Sequence, residues 1–211
     1  MIDLHTHTIF SDGVLVPSEL ARRAEYKGLT AIGMTDHGDI ANLDFVVPRL
    51  VTAAETLNRF LRIRVIPGIE LTHVPPDQIA SLVEQARLLG AKIVIVHGET
   101  LVEPVAAGTN QAAIAAGVDV LAHPGLITEE EADLAARRNV LLEISARAGH
   151  SLSNGHVAAM ARQTGAKLII NTDSHAPSDL IDGDFARRVV RGAGLAEADF
   201  KNMQDNAARF L

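Results

Sequence analysis

The sequence has no cysteine and no tryptophan, and aromatic residues make up only 3% of its 211 residues. Without cysteine, disulfide bonds and thiolate metal sites are excluded, so any metal site must use histidine, aspartate or glutamate side chains. No apolar run approaches the roughly 20 residues that a transmembrane helix requires. Neither a charged leader nor an apolar signal segment precedes the first predicted strand. We therefore expect a cytoplasmic protein with no membrane partner.

Positive charge is also in the minority. The 19 lysines and arginines are outnumbered by 26 aspartates and glutamates, which gives a formal net charge of -7. This balance disfavours extended binding to a nucleic-acid backbone, although a nucleotide or a short strand is still a conceivable substrate. Hydrophobic residues (47%) and charged residues (21%) have the proportions of a globular protein, and the length predicts one domain over residues 1–211.

Short segments rich in β-branched residues alternate with segments of helical periodicity along the whole chain. Several of the β-branched segments are almost continuously apolar, which is typical of strands buried on both faces of a parallel sheet. Ser18 is a candidate N-cap for the first helix. The seven predicted strands are residues 2–7, 30–37, 63–70, 92–98, 118–125, 140–145 and 167–175.

Strict alternation predicts an α/β fold with parallel strands, which could form either an open doubly wound sheet or a closed barrel. In an open sheet, site residues gather at one switch point. Here nearly every predicted strand ends in a polar side chain, so the strand ends must converge around a common axis. We therefore predict a single-domain, distorted (β/α)7 TIM-like barrel. The strand-end residues are His37, Glu70, His97, His123, Asp173 and His175.

Histidines are unusually frequent at these positions. His5 and His7 are two residues apart on the first predicted strand, so their side chains share a face and could hold one ion together. An H-x-H motif alone is a weak signal, because short strands also carry histidines for packing. The full set of clustered histidines, with Asp12, Glu70 and Asp173 beside them, is a stronger one. Burying so many titratable groups without a cation would be unfavourable, and the side-chain types suit Zn, Mn or Fe.

Six motifs in order along the chain resemble a known family. They are DLHTHTIFSDG, MTDHG, GIE, VHGE, AHPG and NTDSHAP. Together they resemble the PHP (polymerase and histidinol phosphatase) family, and within it the small histidinol-phosphatase-like proteins. The resemblance covers essentially the whole chain. It implies a seven-stranded distorted barrel with up to three metal ions at its C-terminal face.

The resemblance also implies a set of metal ligands. It assigns His5, His7 and Asp173 to a first ion, with Glu70 bridging this ion to another. In the loop after the H-x-H motif, Asp12 stands where many phosphatase-type members have a histidine, and we expect this carboxylate to ligate and to shift the preference towards Mn. In total we expect two to three divalent ions (Zn, Mn or Fe). His37 and His175 would hold the second ion, and His97 and His123 would complete a third that shares Glu70.

Three residues are candidates for catalysis. Glu70 is the bridging carboxylate that the resemblance implies. His73 follows it by three positions and could protonate a leaving group, or it could be a solvated loop histidine. Arg147 lies just past the sixth predicted strand and could clamp a phosphate group, or it could be a surface arginine. Asp36 could orient a metal ligand or cap the next turn, and His150 could reach the pocket.

The predicted function is metal-dependent hydrolysis of a phosphate ester by a metal-bridging hydroxide, which needs no serine or cysteine nucleophile. The expected substrate is a small phosphomonoester of the histidinol-phosphate type. One alternative is a nucleotide phosphodiesterase or exonuclease. A less favoured one is an amidohydrolase that cleaves C–N bonds. Many barrels of that class carry a lysine for carboxylation on a middle strand, but here Lys92 begins its strand rather than ending it. A non-catalytic metal-binding domain is disfavoured by the intact ligand set, and the sequence leaves the oligomeric state open.

Overall fold

Parallel strands form a nearly closed barrel in the computed structural model, which describes residues 1–211. The order around the barrel is β1-β2-β4-β5-β6-β7-β8, and β3 continues the line of β2 and pairs with β4. The predicted seven-stranded barrel is thus confirmed, with one strand broken in two. The strands are β1 (Ile2–Asp3), β2 (Ala31–Met34), β3 (His37–Gly38), β4 (Arg64–Leu71), β5 (Ile93–His97), β6 (Val120–Ala122), β7 (Leu141–Ser145) and β8 (Leu168–Asn171).

Eight helices surround this barrel, and a 3-10 turn at His150–Ser153 precedes the sixth. None of them combines the length and the apolar character needed to cross a bilayer. The helices are α1 (Pro17–Tyr26), α2 (Leu43–Phe60), α3 (Pro76–Leu88), α4 (Thr109–Ala115), α5 (Glu129–Arg138), α6 (Asn154–Thr164), α7 (Gly183–Gly192) and α8 (Glu197–Ala208).

The core has two layers, which explains why the strands are apolar on both faces. In β5, Ile93 and Ile95 belong to a small buried cluster inside the barrel, whereas Val94 and Val96 pack in the larger cluster under the helices. Two-residue periodicity then places His97, the last residue of β5, on the inner face. Apolar inner side chains fill the lower barrel, and the polar ones lie towards the C-terminal half of the strands.

The seam between β1 and β8 is closed mainly by side chains. One isolated bridge joins Thr6 to Ser174, where the His7 backbone N–H donates to the Ser174 carbonyl at 2.8 Å. Lower down, the Leu4 backbone N–H donates to Asn171 Oδ1 at 2.9 Å. The amide side chain therefore replaces a ladder hydrogen bond where the two strands diverge.

Two details of the sequence interpretation were wrong. Ser18 is not the N-cap of α1; that position is occupied by Val16, and Pro17 takes the first helical position, where a missing N–H costs nothing. The first and last predicted strands are also too long, since β1 ends at residue 3 and β8 at residue 171. Beyond these points only the isolated bridge between Thr6 and Ser174 continues the pairing, and Asp173 adopts a left-handed φ of 52°. Helix α8 had not been predicted.

Candidate metal centre

All nine predicted metal ligands lie together at the C-terminal mouth of the barrel. They form groups of three or four whose ligand atoms lie within 4.8 Å of one another. Most of these side chains are buried, and Asp12 is the most open to solvent. The nine are His5, His7, Asp12, His37, Glu70, His97, His123, Asp173 and His175.

Glu70, near the end of β4, is at the centre of the cluster and completely buried. Its Oε1 lies 3.3 Å from His5 Nε2 and 3.4 Å from His97 Nδ1. Its Oε2 lies 2.7 Å from His37 Nδ1 and 3.6 Å from His7 Nε2. The two carboxylate oxygens thus face different histidines, which is the geometry of a carboxylate that can bridge two ions.

The first subsite consists of His5, His7 and Asp173. Asp173 Oδ1 lies 3.0 Å from His7 Nε2 and 3.7 Å from His5 Nε2. The two histidines point the same way, as their spacing suggested, and their ring centroids are 5.1 Å apart. The left-handed backbone at Asp173 turns its carboxylate towards both rings, which is local strain of the kind found at functional sites.

The second subsite consists of Asp12, His37 and His175. Asp12 Oδ1 lies 3.1 Å from His175 Nε2 and 3.5 Å from His37 Nε2. His175 Nδ1 is 2.9 Å from the Asp173 carbonyl, which leaves Nε2 as the ring nitrogen that faces Asp12. Hydrogen bonds from the two histidines outweigh burial and lower the pKa of Asp12, so it is a carboxylate at neutral pH.

The third subsite consists of Glu70, His97 and His123. His123 Nε2 lies 3.0 Å from His97 Nδ1 and 3.9 Å from Glu70 Oε1. All three side chains are buried, and His123 has a positive φ of 27°, again outside the region that a histidine prefers. The subsites are therefore built from strand ends and the first residues beyond them.

The donor atoms fit divalent metal ions. Several buried ring nitrogens and carboxylate oxygens face one another without a hydrogen-bond partner, although nearly all buried polar atoms in proteins have one. Imidazole nitrogens and carboxylate oxygens are also the ligands that Zn, Mn and Fe bind. The unpartnered atoms are His5 Nε2, His7 Nδ1 and Nε2, Glu70 Oε1, His97 Nε2 and Asp173 Oδ1.

The charges of the cluster are strongly perturbed. Burial lowers the pKa of His7 to about 4, so this ring is neutral at pH 7. Burial also opposes the charged form of His37, but the Glu70 and Asp12 carboxylates outweigh it and raise the pKa of His37 to about 10. The burial of Glu70 opposes its ionisation, yet His5 and His37 hold its pKa well below the usual range. The carboxylates are thus ionised and available to a cation.

Glu143 is a residue of this centre that the sequence interpretation overlooked. It lies in β7, is fully buried, and approaches His5 Nδ1 at 2.8 Å and His123 Nδ1 at 3.0 Å. Burial opposes its ionisation, but the two histidines lower its pKa well below the ordinary value. A signal existed in the sequence, because Glu143 is the single charged residue of the apolar segment VLLEIS.

Asp36 does not cap the turn that follows it and contacts no ligand side chain directly; it acts on the loop of one ligand instead. Its carboxylate accepts hydrogen bonds from the Thr8 backbone N–H and hydroxyl, both at 2.8 Å, and from the Ser11 hydroxyl at 2.7 Å. The loop that carries Asp12 is therefore held down by a buried carboxylate at the end of β2.

Three residues beyond the strand ends, His73, Glu103 and His150, approach the open side of the third subsite. His73 is partly exposed, and its Nε2 lies 3.2 Å from Glu103 Oε2. The same oxygen of Glu103, a residue that had not been predicted, lies 3.1 Å from His97 Nε2. His150 does reach the pocket, since its side chain is buried and its Nε2 lies 3.5 Å from Glu103 Oε1 and 3.6 Å from Asp173 Oδ2.

Arg147 lies at the edge of the mouth and contacts a predicted metal ligand. Its Nη1 donates to the Asp173 carbonyl at 3.1 Å, and its Nε lies 3.5 Å from Asp173 Oδ2. About a third of the side chain is exposed. Arg147 also lines a cavity of about 460 Å³ together with His175, Ile181 and Phe185. A molecule bound over the cluster could therefore reach both the guanidinium and this cavity.

The sequence matches the model of the PHP domain over residues 3–171, so the chain belongs to the PHP family. It is 48% identical over 202 residues to an uncharacterised protein of Methanocaldococcus jannaschii, a match that covers 95% of this chain and 93% of that protein. It is 27% identical to a probable phosphatase of Shewanella halifaxensis, over 92% of this chain and 84% of the relative.

Solved structures share the fold. A chain of archaeal ribonuclease P, determined with mature tRNA, superimposes with a TM-score of 0.75 at 16% identity, covering 100% of this chain and 89% of that one. A candidate histidinol phosphatase from Listeria monocytogenes gives a TM-score of 0.62 at 12% identity, covering 87% and 98% of the two chains. At these identities the similarity establishes the barrel architecture and nothing about activity.

Proposed function

We propose that this protein is a metal-dependent phosphoesterase that hydrolyses a small phosphomonoester of the histidinol-phosphate type. The observation that carries this proposal is the convergence of nine histidine and carboxylate ligands at one barrel mouth, with the two oxygens of Glu70 facing different histidines. Membership of the PHP family and relatives described as probable phosphatases support the same reaction.

The metal subsites and the residues beside them have distinct roles in the proposed reaction. The three subsites would hold two to three ions (Zn, Mn or Fe), with Glu70 shared between them. Bound divalent ions would lower the pKa of a coordinated water and neutralise charge on phosphate oxygens. Glu70 and Asp173 supply the negative charge that fixes such ions, and the barrel wall keeps both carboxylates away from bulk water. His73, at the rim, would give a proton to a departing alcohol.

Arg147 is proposed to bind the phosphate group of the substrate. It is the only lysine or arginine in the loops that follow the strands, so the mouth offers one guanidinium for one phosphate. A fork of N–H donors suits two phosphate oxygens at once. The loops that follow the strands are residues 4–16, 35–42, 72–75, 98–108, 123–128, 146–153 and 172–182.

The same shortage of basic residues disfavours the nucleic-acid alternative. A protein that holds a polynucleotide needs several cationic contacts along the backbone, and a single arginine does not provide them. The C–N hydrolase alternative is weaker still, since Lys92 lies at the N-terminal end of β5, remote from the mouth. The expected ligand is therefore a small phosphorylated molecule, with no extended nucleic-acid partner.

A phosphate-release screen tests the proposed function. The Mn-loaded protein is assayed against histidinol phosphate, sugar phosphates, mononucleotides and short DNA, with Glu70→Gln as the inactive control. We expect release from one of the small monoesters and none from DNA. Turnover of DNA with no turnover of any monoester would contradict the proposal and favour the exonuclease alternative.

A further inference from the structure

Glu143 is a buried carboxylate outside the proposed ligand set, and it touches histidines of two subsites. Its Oε1 lies 2.8 Å from His5 Nδ1 and accepts a hydrogen bond from Asn171 Nδ2 at 3.0 Å. Its Oε2 lies 3.0 Å from His123 Nδ1 and accepts a hydrogen bond from the His123 backbone N–H at 3.1 Å. Each carboxylate oxygen is therefore engaged in two short contacts.

Two of the four groups that contact Glu143 can only donate a hydrogen bond and cannot accept one. The backbone N–H of His123 can only donate. The amide of Asn171 is oriented by Leu4, whose backbone N–H donates to Asn171 Oδ1 at 2.9 Å, so the Nδ2 group must face Glu143. Both oxygens of residue 143 must consequently be acceptors, and only a carboxylate provides two. A glutamine turned either way would set its own NH2 group against one of these donors.

The same acceptors determine which nitrogen of each ring is free. Nδ1 of His5 and Nδ1 of His123 each face a carboxylate oxygen and carry a proton, which leaves Nε2 as the nitrogen available to a metal ion. The two Nε2 atoms lie 3.3 Å and 3.9 Å from the same atom, Glu70 Oε1. A carboxylate that accepts from a ligating histidine orients the ring and raises the basicity of its free nitrogen.

We propose that Glu143 is a positioning residue that couples the first and third metal subsites by holding His5 and His123 in the orientation that metal binding requires. The proposal rests on the proposed function, since it requires ions in both subsites. Glu143, His5 and His123 also form a group whose spacing would suit an ion of its own. The lone pairs of Glu143 are, however, already used by four donors, so its effect on the ions is indirect.

Glu103 provides a matched control because, among the predicted ligands, its carboxylate contacts only His97, at 3.1 Å from Nε2. Removing its charge should affect the third subsite alone. The test is a zinc titration of wild type, Glu143→Gln and Glu103→Gln in competition with a chromogenic chelator, which counts the tight equivalents. Circular dichroism of the metal-free proteins checks that each variant is folded.

We expect Glu143→Gln to weaken two zinc equivalents, at least one of them by about ten- to a hundredfold. The glutamine oxygen can accept hydrogen bonds beside one ring only. Its NH2 group faces the donors beside the other ring, and the negative charge that faces both rings is lost. We expect Glu103→Gln to weaken one equivalent only. If Glu143→Gln does not fold, Glu143→Asp replaces it, because the shorter carboxylate keeps its charge but withdraws its oxygens from both rings.

Two results would overturn the coupling: zinc affinities of the residue-143 variant equal to those of wild type, or a loss confined to one equivalent. In either case normal binding by wild type would leave the proposed function standing. Wild-type protein that binds no zinc or manganese would overturn the proposed function and the coupling together.

Discussion

Replacing Arg147 with alanine tests whether this residue binds the phosphate group of the substrate or only lies near the mouth. The guanidinium is about one-third exposed. Its Nη1 donates to the Asp173 carbonyl and lies 3.8 Å from Asp179 Oδ2, and its Nε lies 3.5 Å from Asp173 Oδ2, which leaves Nη2 to meet a ligand. A hydrogen bond to a charged partner contributes about 1.5–3 kcal/mol. We therefore expect Arg147→Ala to lower kcat/KM by roughly ten- to a hundredfold.

The assay combines kcat/KM for the best monoester with inhibition by inorganic phosphate and with the metal content of each variant. Phosphate inhibition should weaken in parallel with kcat/KM, because product and substrate share the same contact. Arg147→Lys should recover only part of the activity, since an ammonium group lacks the fork geometry. Arg162→Ala is the matched control: this exposed arginine of α6 donates to the Gly194 carbonyl on the outside of the barrel and should leave kcat/KM unchanged.

Two results would refute the reasoning about Arg147. If phosphate inhibits the alanine variant as tightly as wild type, the guanidinium does not bind the phosphate group. If the alanine variant instead loses metal, Arg147 acts by orienting Asp173, whose carboxylate lies 3.5 Å from Nε. In the first case His150 becomes the next residue to replace, because its buried ring reaches the same region.

Three further predictions concern metal content, the central carboxylate and the fold. Elemental analysis of protein purified without chelator should give at least two equivalents of divalent metal, and metal removal should lower the Tm; unchanged stability would count against a metal centre. Glu70→Gln should reduce kcat at saturating metal more than His37→Ala, because Glu70 faces several subsites and His37 belongs to one; equal kcat in wild type and Glu70→Gln would exclude the bridge. Thr128→Ala removes the capping box at the start of α5 and should lower the free energy of unfolding by about 0.5–2 kcal/mol in urea titrations. Thr56→Ala, at an exposed position inside α2, should cost little, and an equal loss there would show that capping is not the cause.

Much of this fold could be predicted from the sequence, because apolar strand segments ending in histidine or carboxylate are a local pattern. His97 shows the reasoning at its simplest: it ends an apolar strand in phase with Ile93 and Ile95, so it must point into the barrel mouth. The H-x-H motif works in the same way, since spacing alone sets the direction of two rings.

The remaining features depend on contacts between distant parts of the chain. Glu143 looks like an isolated charge in an apolar strand, and only the packed barrel brings His5 and His123 against its two oxygens. Glu103 belongs to a loop whose path no periodicity describes. The strand ends were misjudged for a related reason, because the turn at Asp173 follows from the convergence of the site rather than from local preference.

The side-chain closure between β1 and β8 has a consequence for the stability of the whole chain. Asp3 accepts a hydrogen bond from the Thr172 backbone N–H, and these two residues are 169 positions apart. Immediately beyond this seam, His5 and His7 from one end of the chain meet Asp173 from near the other. An ion held by these three residues would cross-link a loop longer than most natural disulfides enclose, and closing long loops removes the most entropy from the unfolded chain. In a protein without cysteine, the metal centre would then also stabilise the closed barrel in the way that a disulfide bond would.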